Sequence, residues 1–413
     1  MRQSELFTKT RREAPKGEVS KNAELLVRAG YIHKEMAGVY SFLPLGLRVL
    51  NNIAVIIREE MNAIGGQEVF LSGLQNPELW KKTGRWDDSV VDNWFKTKLS
   101  DGTELGLGHS HEEPLTALLT EHISSYRDLP KAIYQIQTKF RNELRAKSGL
   151  LRGREFMMKD MYSFVRTPEE LDSFHERAAE AYKNIFSRAG IGERTFRTFA
   201  SGGSFSKYSD EFQMLCDAGE DTIYLHRERE LAVNREVYTD EVLLDLNLDK
   251  HELEEVRAIE VGNIFKLGNR FSEPLELAFT DETGGKKPVL MGCYGLGLSR
   301  LMGAVAEALS DEKGLRWPKT LSPFALHLVA IAGEKVKESA EALYGKLSRH
   351  GVSVLYDDRD MSAGQKFADA DLLGIPYRAI VSQKTLEAGG IELAERAGGV
   401  SRMVSEKELF SLS

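Results

Sequence analysis

Cysteine is nearly missing: Cys216 and Cys293 are the only two in 413 residues. That pair cannot build a disulfide framework, and no Cys/His cluster has the spacing of a structural zinc site. Long apolar runs are missing as well. None approaches the ~18 residues a membrane helix needs, and the stretch from Met1 to Glu5 has no apolar segment of a secretory signal. The expectation is a cytoplasmic protein with no membrane partner. Net positive charge is also lacking: 55 Lys/Arg stand against 63 Asp/Glu, for a formal net charge of −8. A protein that coats nucleic acid by bulk electrostatics is therefore excluded, and only local basic patches remain for such contact.

What is present suits a large globular chain. Hydrophobic residues make up 42% and charged residues 29%, and a prior of ~150 residues per domain allows two or three domains. The most informative stretch is YQIQTKFRNELRAKSGLLRGREFMMKDMYSF at 134–164. It reads as two strands joined by a basic loop. Side chains alternate across a strand, so Gln135, Gln137, Lys139, Arg141 and Glu143 share one face while Tyr134, Ile136, Thr138 and Phe140 share the other, one polar and one packed. The return strand puts Phe156, Met158 and Asp160 together, with Arg152 and Arg154 at its mouth. From 126 to 159 nine Lys/Arg stand against three Asp/Glu, a local anion site within an acidic chain. An arginine fork matches phosphate oxygens and an aromatic ring offers a base a stacking surface, so the set suits a nucleotide. A hairpin with one solvated face is the plain alternative.

Phe-Arg-Asn-Glu at 140–143 followed by Arg-Gly-Arg-Glu-Phe at 152–156 resembles the second signature motif of class II aminoacyl-tRNA synthetases. The wording QTKFRNE and GREFMMKDMYSF resembles the bacterial-type prolyl-tRNA synthetase family in particular, and the likeness runs through nearly the whole chain. It implies an α/β fold: an α+β catalytic domain at 1–320, with an antiparallel sheet flanked by helices, and a smaller α/β anticodon-binding domain at 321–413.

The remaining segments are read in order against that resemblance. Residues 1–19 look like a loosely held polar arm, and Ser20 caps a short helix ending near Gly30. Leu47, Leu50, Ile53, Ala54, Ile57 and Met61 form a helical stripe, followed by a strand at 68–71. This pair resembles the first motif, which implies a homodimer interface, although Ser72 stands where the family usually has proline. Gly108 to Glu113 reads as a surface loop by composition; in the family a Thr-x-Glu element here holds the substrate's amino group, so Ser110 and Glu112 take that place. Pro168 to Ala189 is a helix.

SGGSFSKYSDEFQML at 201–215 resembles an element that brings Glu211 to the substrate, with Asp210 replacing a usual His. Only about forty residues, 218–257, follow before the next recognisable element, fewer than the ~50 a separate domain needs. The segment reads as a short acidic helix or two, so the inserted editing domain of typical bacterial relatives is expected to be missing. IEVGNIFKLGNRF at 259–271 resembles the strand bordering the active site, with Asn263 for His. VLMGCYGLGLSR at 289–300 reads as strand, glycine turn and helix start, and resembles the third motif with Arg300. A dinucleotide fingerprint fails there because its third glycine is Arg300 and no acidic strand end follows. After a Pro-punctuated linker at 317–323, strands alternate with helices to the end.

The resemblance implies ATP-dependent activation of L-proline and transfer to the 3′ end of tRNA(Pro), with ATP and Mg2+ as cofactors. Arg141 and Arg300 would be the catalytic groups. ATP would meet Arg141, Glu143, Arg152, Phe156 and Arg300, and proline would meet Ser110, Glu112, Arg141, Met158, Glu211 and Cys293. Glu211 and Glu260 are candidates for the magnesium carboxylate, and no other metal site is expected. Within DDRDMSAGQKFADADLLGIP, Asp358, Arg359 and Lys366 would contact the anticodon. Two other readings stay open: a synthetase-like protein that binds tRNA or nucleotide without charging, and a sister ligase for threonine, glycine or serine.

Overall fold

The computed structural model describes residues 1–13, 20–144, 146, 148–203, 208–331, 333–399 and 401–412. Two compact units result: Ala37–Val39 with Ala54–Ala304, and Met1–Met36, Tyr40–Ile53 and Val305–Ser413. Packing thus groups residues 305–320 with the second unit, where the sequence reading set a boundary at 320/321. No helix among the described residues is long and apolar enough to cross a membrane.

The larger unit is built on a nine-stranded sheet. Its strands are β1 (Gln67–Glu68), β2 (Lys131–Phe140), β3 (Glu155–Val165), β4 (Thr195–Ser201), β5 (Tyr208–Leu215), β6 (Asp221–His226), β7 (Leu231–Asn234), β8 (Glu254–Gly268) and β9 (Leu290–Gly297). The order is β5-β4-β7-β6-β8-β9-β3-β2-β1, with β5 also pairing to β8. The β2–β3 pair is the expected hairpin, antiparallel from Lys131↔Phe164 to Phe140↔Glu155. The plain alternative of a solvated face fails: Gln135, Gln137 and Lys139 on the polar face of β2 are buried. Their partners come from elsewhere, with Gln135 Oε1 accepting from the Leu71 amide at 3.1 Å and Gln137 donating to the Leu71 carbonyl.

The 218–257 segment holds the expected short acidic helix, Asp240–Asp245, and in addition contributes strands β6 and β7 to the sheet. The β-branched and aromatic run TIYLH favours a strand. The expected strand at 68–71 shrinks to β1, parallel to β2. The helix before it runs Pro44–Ala63 and buries Leu50, Ile53, Ala54, Ile57 and Met61, while Leu47 is 46% exposed, outside the stripe.

Helix Pro168–Arg188 forms because Thr167 caps the Glu170 amide, Pro168 occupies the first turn with Glu169 and Glu170, and Leu171, Phe174, Ala178, Tyr182 and Ile185 recur on one side. That side packs on the sheet. Beneath it lies Lys159, fully buried, donating to the Tyr182 hydroxyl at 2.6 Å and the Tyr294 carbonyl at 2.9 Å. Burial pulls its ammonium down to about 7. The unfolded chain keeps this proton up to the ordinary lysine range, so between pH 7 and roughly 10 the unfolded state binds more protons and stability rises with pH. Below pH 7 the full cost of a buried charge applies. Lys159→Met should therefore shift Tm more favourably at pH 6 than at pH 9 in calorimetry; a pH-independent difference would show that burial does not depress Lys159.

A satellite at 74–119 covers one end of the hairpin. Three short strands, Leu74–Gln75, Lys96–Lys98 and Glu104–Leu107, pair in the order first, third, second. Trp94 lies flat on Gly106, where any Cβ would stand 2.2 Å from the indole. Trp80, Trp86 and Trp94 cluster there with ring centroids 4.0 and 4.8 Å apart.

In the second unit, β10 (Leu326–Ala330), β11 (Val354–Asp357), β12 (Tyr377–Val381), β13 (Ile391–Glu395) and β14 (Ser401–Val404) form a sheet in the order β11-β10-β12-β13-β14. The first three are parallel and the last two antiparallel, a small α/β domain as the strand–helix alternation suggests. The N-terminal residues are not a loose arm. Arg2 bridges Tyr356, the Gln3 amide donates to the Tyr356 carbonyl at 2.7 Å, and the Met1 amine donates to the Val354 carbonyl at 2.9 Å. Residues 14–19 lie outside the described residues. The short helix is Lys21–Arg28, with Ser20 at the cap position but without a side-chain cap bond.

Candidate active site

Strands β3, β8 and β9, with Arg141, Glu143 and residues 148–153 on one side and Ala218, Glu220 and Asp221 on another, enclose a cavity of about 300 Å³, within the range of small-molecule sites. Arg141, Glu143, Arg152, Phe156, Met158, Glu260 and Arg300 all line it. Alternation on β3 aims Phe156 and Met158 inward. Gly295 keeps the space beside them open: a Cβ there would come within 3.0 Å of the Met158 methyl and narrow it.

Arg141 lies just past the end of β2, its amide held by the Arg154 carbonyl at 2.8 Å. The guanidinium carbon stands 5.5 Å from the Phe156 ring centroid, and Nε is buried without a hydrogen-bond partner. Burial lowers its pKa, the neighbouring Arg300 charge lowers it further, and Glu112 and Glu260 oppose. Arg300 lies in the first turn of the helix Leu298–Leu309, donates to Glu260 Oε2 at 3.0 Å, and also keeps a buried Nε without a partner. Two guanidiniums thus face one cavity with donors unused, an arrangement suited to a polyanion. Arg152 at the rim pairs with Glu143 at 3.0 Å and Glu220 at 2.8 Å.

Ser110, Glu112 and Cys293 form a second group, in the buried cluster beside the cavity rather than on its wall. The expected surface loop is the reverse of exposed: His109, Ser110, His111, Glu112 and Glu113 are all buried. The Ser110 hydroxyl donates to Glu112, and the Cys293 thiol lies 3.4 Å from Glu112 Oε1. Burial opposes ionisation of Glu112, but Arg85 and Ser110 overcome it, so this carboxyl sits below the usual range. Burial pushes the Cys293 thiol well up, so it stays protonated. His111 Nε2 lies 3.0 Å from the Ser72 carbonyl and must donate there, which leaves Nδ1 to accept from Lys139 at 2.6 Å. Lys139 in turn pairs with Asp160 at 2.8 Å. Ser72, the departure from the family's proline, therefore still anchors this loop through its backbone.

Glu211 sits outside the cavity wall on β5, opposite Asn263 of β8. Its carboxylate accepts from Gln213 at 2.8 Å and Asn234 at 3.2 Å, and burial together with the Glu260 charge pushes it up to about 8. Asp210, in place of a usual His, bonds His175 and Arg197, each at 2.7 Å. In the second unit the three expected anticodon residues are engaged internally. Asp358 accepts from Ser4 at 3.0 and 2.7 Å, and Arg359 grips Asp357 and Asp369. Lys366 is buried, donating to the Ala330 carbonyl at 2.7 Å and the Asp357 carbonyl at 3.2 Å, so it fixes the turn instead of presenting charge.

Sequence reasoning passed over Glu220, which reads as one more acid in a polar turn, and Arg85, whose neighbours at 112 and 113 are far along the chain. For Arg85 the only signal was its place among tryptophans, Gly84-Arg85-Trp86.

Two known families match parts of the chain. The family described as tRNA synthetase class II core domain (G, H, P, S and T) matches residues 95–309, and the family described as anticodon binding domain matches 327–412. A proline–tRNA ligase of Bacillus cytotoxicus is 34% identical over 562 aligned positions, covering 100% of this chain and 99% of the relative. One from Bacillus cereus is 33% identical over 560 positions, covering 99% and 98%. Those alignments are far longer than 413 residues, so the relatives carry sequence with no counterpart here. Among solved structures, prolyl-tRNA synthetase from Cryptosporidium parvum complexed with L-proline and AMP superposes with a TM-score of 0.75 at 17% identity, over 94% of this chain and 73% of that one. The Giardia lamblia prolyl-tRNA synthetase in complex with prolyl-adenylate gives 0.76 at 20% identity, over 94% and 74%.

Proposed function

Since the chain belongs to the prolyl-tRNA synthetase family of class II synthetases, we infer that it activates L-proline with ATP and transfers it to the 3′ end of tRNA(Pro), releasing AMP and diphosphate. The observation that carries this reading is the shared cavity of Arg141, Phe156 and Arg300.

The proline carboxylate is already a nucleophile, so the site's task is alignment with the α-phosphorus and stabilisation of charge as diphosphate leaves. Arg141, at the junction of the cavity and the Glu112 cluster, holds the carboxylate and the α-phosphate. Phe156 stacks on the adenine and Arg300 covers its other face. Glu143 takes the adenine edge, Arg152 reaches the γ-phosphate from the rim, and Met158 borders the apolar ring. Glu112, ionised and fixed by Ser110, receives the imino nitrogen, with Cys293 behind it and Glu211 on the far side. Mg2+ supplies charge neutralisation on the phosphates when bound. Its fit rests on hard oxygen donors: the Glu211 and Glu260 carboxylates, with the Gln213 and Asn263 amide oxygens buried beside them without partners.

Exposed Val55, Phe70 and Leu74, at 49, 79 and 57%, follow the first-motif likeness and support a homodimer. The turn of Asp358 and Arg359, held from beneath by the buried Lys366, is the proposed anticodon contact, and the setting is cytoplasmic. An amino-acid panel in ATP–pyrophosphate exchange tests activation and specificity together. Proline-dependent exchange with charging of tRNA(Pro) is expected; tRNA binding without exchange would favour the non-charging reading.

An apolar pocket discriminates by only ~1–3 kcal/mol per methylene, so alanine should support measurable exchange. With 218–257 folded into the sheet as β6 and β7, we propose that no editing domain is present and that alanyl-tRNA(Pro) persists in the purified chain. Fast deacylation in a filter assay would overturn this.

A further inference from the structure

One guanidinium in the larger unit serves two buried carboxylates. Arg85 is 1% exposed, Glu112 1% and Glu113 0%. Arg85 Nη1 lies 3.4 Å from Glu112 Oε2 and 3.0 and 3.1 Å from the two Glu113 oxygens. Its guanidinium is also packed against rings, 4.7 Å from the Trp80 centroid and 5.3 Å from that of Phe271, so it cannot swing away. The Thr83 hydroxyl donates to Glu113 at 2.8 Å, and Ser110 and Cys293 donate to Glu112. The nearest other cation on β2, Lys139, is committed to Asp160. With both carboxylates ionised, this dry triad carries one net negative charge, offset only in part by Arg141 from the cavity side, and burial penalises it. Either a proton or a cationic ligand relieves it.

We propose that Arg85 and Glu113 are positioning residues for the substrate's ammonium: they fix Glu112, hold a proton while the amino-acid pocket is empty, and release it when the ammonium docks on Glu112. The proposal rests on the reading of Glu112 as the amino-acid anchor. No covalent bond changes; proline enters as its zwitterion and one proton passes from the Glu113 carboxyl to solvent. Burial first, then the Glu112 charge, pushes Glu113 up to about 7 against the pull of Arg85, which puts the exchange at neutral pH. The groups facing the triad do not duplicate it. His111 is held neutral by burial and Lys139, down to about 4. From β3 come Asp160, paired with Lys139, and Tyr162, whose hydroxyl burial pushes well up. From β9 comes the protonated Cys293 thiol, and Arg141 approaches from the cavity side.

The sign follows directly. Binding releases a proton, so proline affinity improves as pH rises through about 7 and levels off above it, with up to about a tenfold change per pH unit below. Calorimetric titration of proline into the full chain at pH 7, in phosphate and in Tris, should show enthalpies that differ by the ionisation heat of roughly half a proton. Tetrahydrofuran-2-carboxylate, which lacks the ammonium, should release none. In Glu113→Gln the buffer dependence should vanish and KM for proline at pH 8 should rise to the parent's pH 6 value, with KM for ATP unmoved. A merely structural role would not produce that split. Proline binding with normal exchange but buffer-independent heat overturns this inference alone, and proton release with the oxa-analogue overturns it too. Failure of proline to bind or exchange overturns the Glu112 anchor and the inference with it.

Discussion

Arg141→Ala should cut proline-dependent ATP–pyrophosphate exchange by at least about a thousandfold while leaving the thermal midpoint nearly unchanged. The loss is large because no carboxylate among the described residues pairs directly with this guanidinium; Glu112 and Glu260 act on it only through their charge. Its Nε is buried without an acceptor, its face lies over Phe156, and burial with the Arg300 charge leaves it under-neutralised. A donor aimed at developing charge in a water-poor site is worth roughly 10²–10³ in rate, and an arginine fork supplies two such bonds. Stability is spared for the same reason: removing a buried cation that makes no strong internal pair costs little, and some desolvation is relieved. Arg141→Lys keeps the charge but not the fork, so it should fall between the two. Single-turnover adenylate formation and a melting curve check both halves. Normal exchange in the alanine variant would remove Arg141 from the α-phosphate, and a large drop in the melting midpoint would recast it as a structural residue.

The parts of this site legible in sequence are those that local alternation determines. Phe156 and Met158 share a face of β3 because strands repeat every two residues, and Arg141 and Arg152 flank the loop that joins β2 to β3, so the cavity wall could be drawn before any coordinates. The glycine-to-helix step at Gly295–Arg300 was legible for the same reason. What stayed hidden was burial of charge. His111, Glu112 and Glu113 read as a solvated loop, yet each is buried, because their partners Lys139, Asp160 and Arg85 come from strands and turns tens of residues away and only register brings them together. The order of Met1–Ser4 was hidden too, since backbone pairing to Val354 and Tyr356 leaves no mark on side-chain composition. In the 218–257 segment the acidic helix was legible, but the strand-forming TIYLH and LAVN before it were not, because the charge count of the segment outweighed them.

That hidden layer carries the second large effect. Asp160→Ala should destabilise the larger unit by about 3–5 kcal/mol, the cost of stranding a buried partner charge. Lys139 is fully buried and would lose its 2.8 Å counter-ion, while Gln135 and Tyr162, each 3.0 Å from Asp160 Oδ2, would lose an acceptor. Replacing both charges, as in the double change Lys139→Met with Asp160→Leu, should restore most of the stability, since a well-packed apolar pair avoids the desolvation that the ion pair must overcome. Activity should not return with it. Lys139 also holds His111 Nδ1, and His111 braces the Ser110–Glu112 loop against the Ser72 carbonyl, so the double variant should fold yet show a raised KM for proline. The pH dependence has a fixed sign. Burial resists ionisation of Asp160, but Lys139 and His111 overcome it and hold the carboxyl below its usual range. Its contribution is therefore complete above about pH 4 and is lost as pH falls through the folded value. Urea midpoints at pH 7 and in acid, for the parent, Asp160→Ala, Lys139→Met, Asp160→Leu and the double variant, measure the coupling. Additive losses in the double variant would mean that Lys139 and Asp160 do not compensate each other.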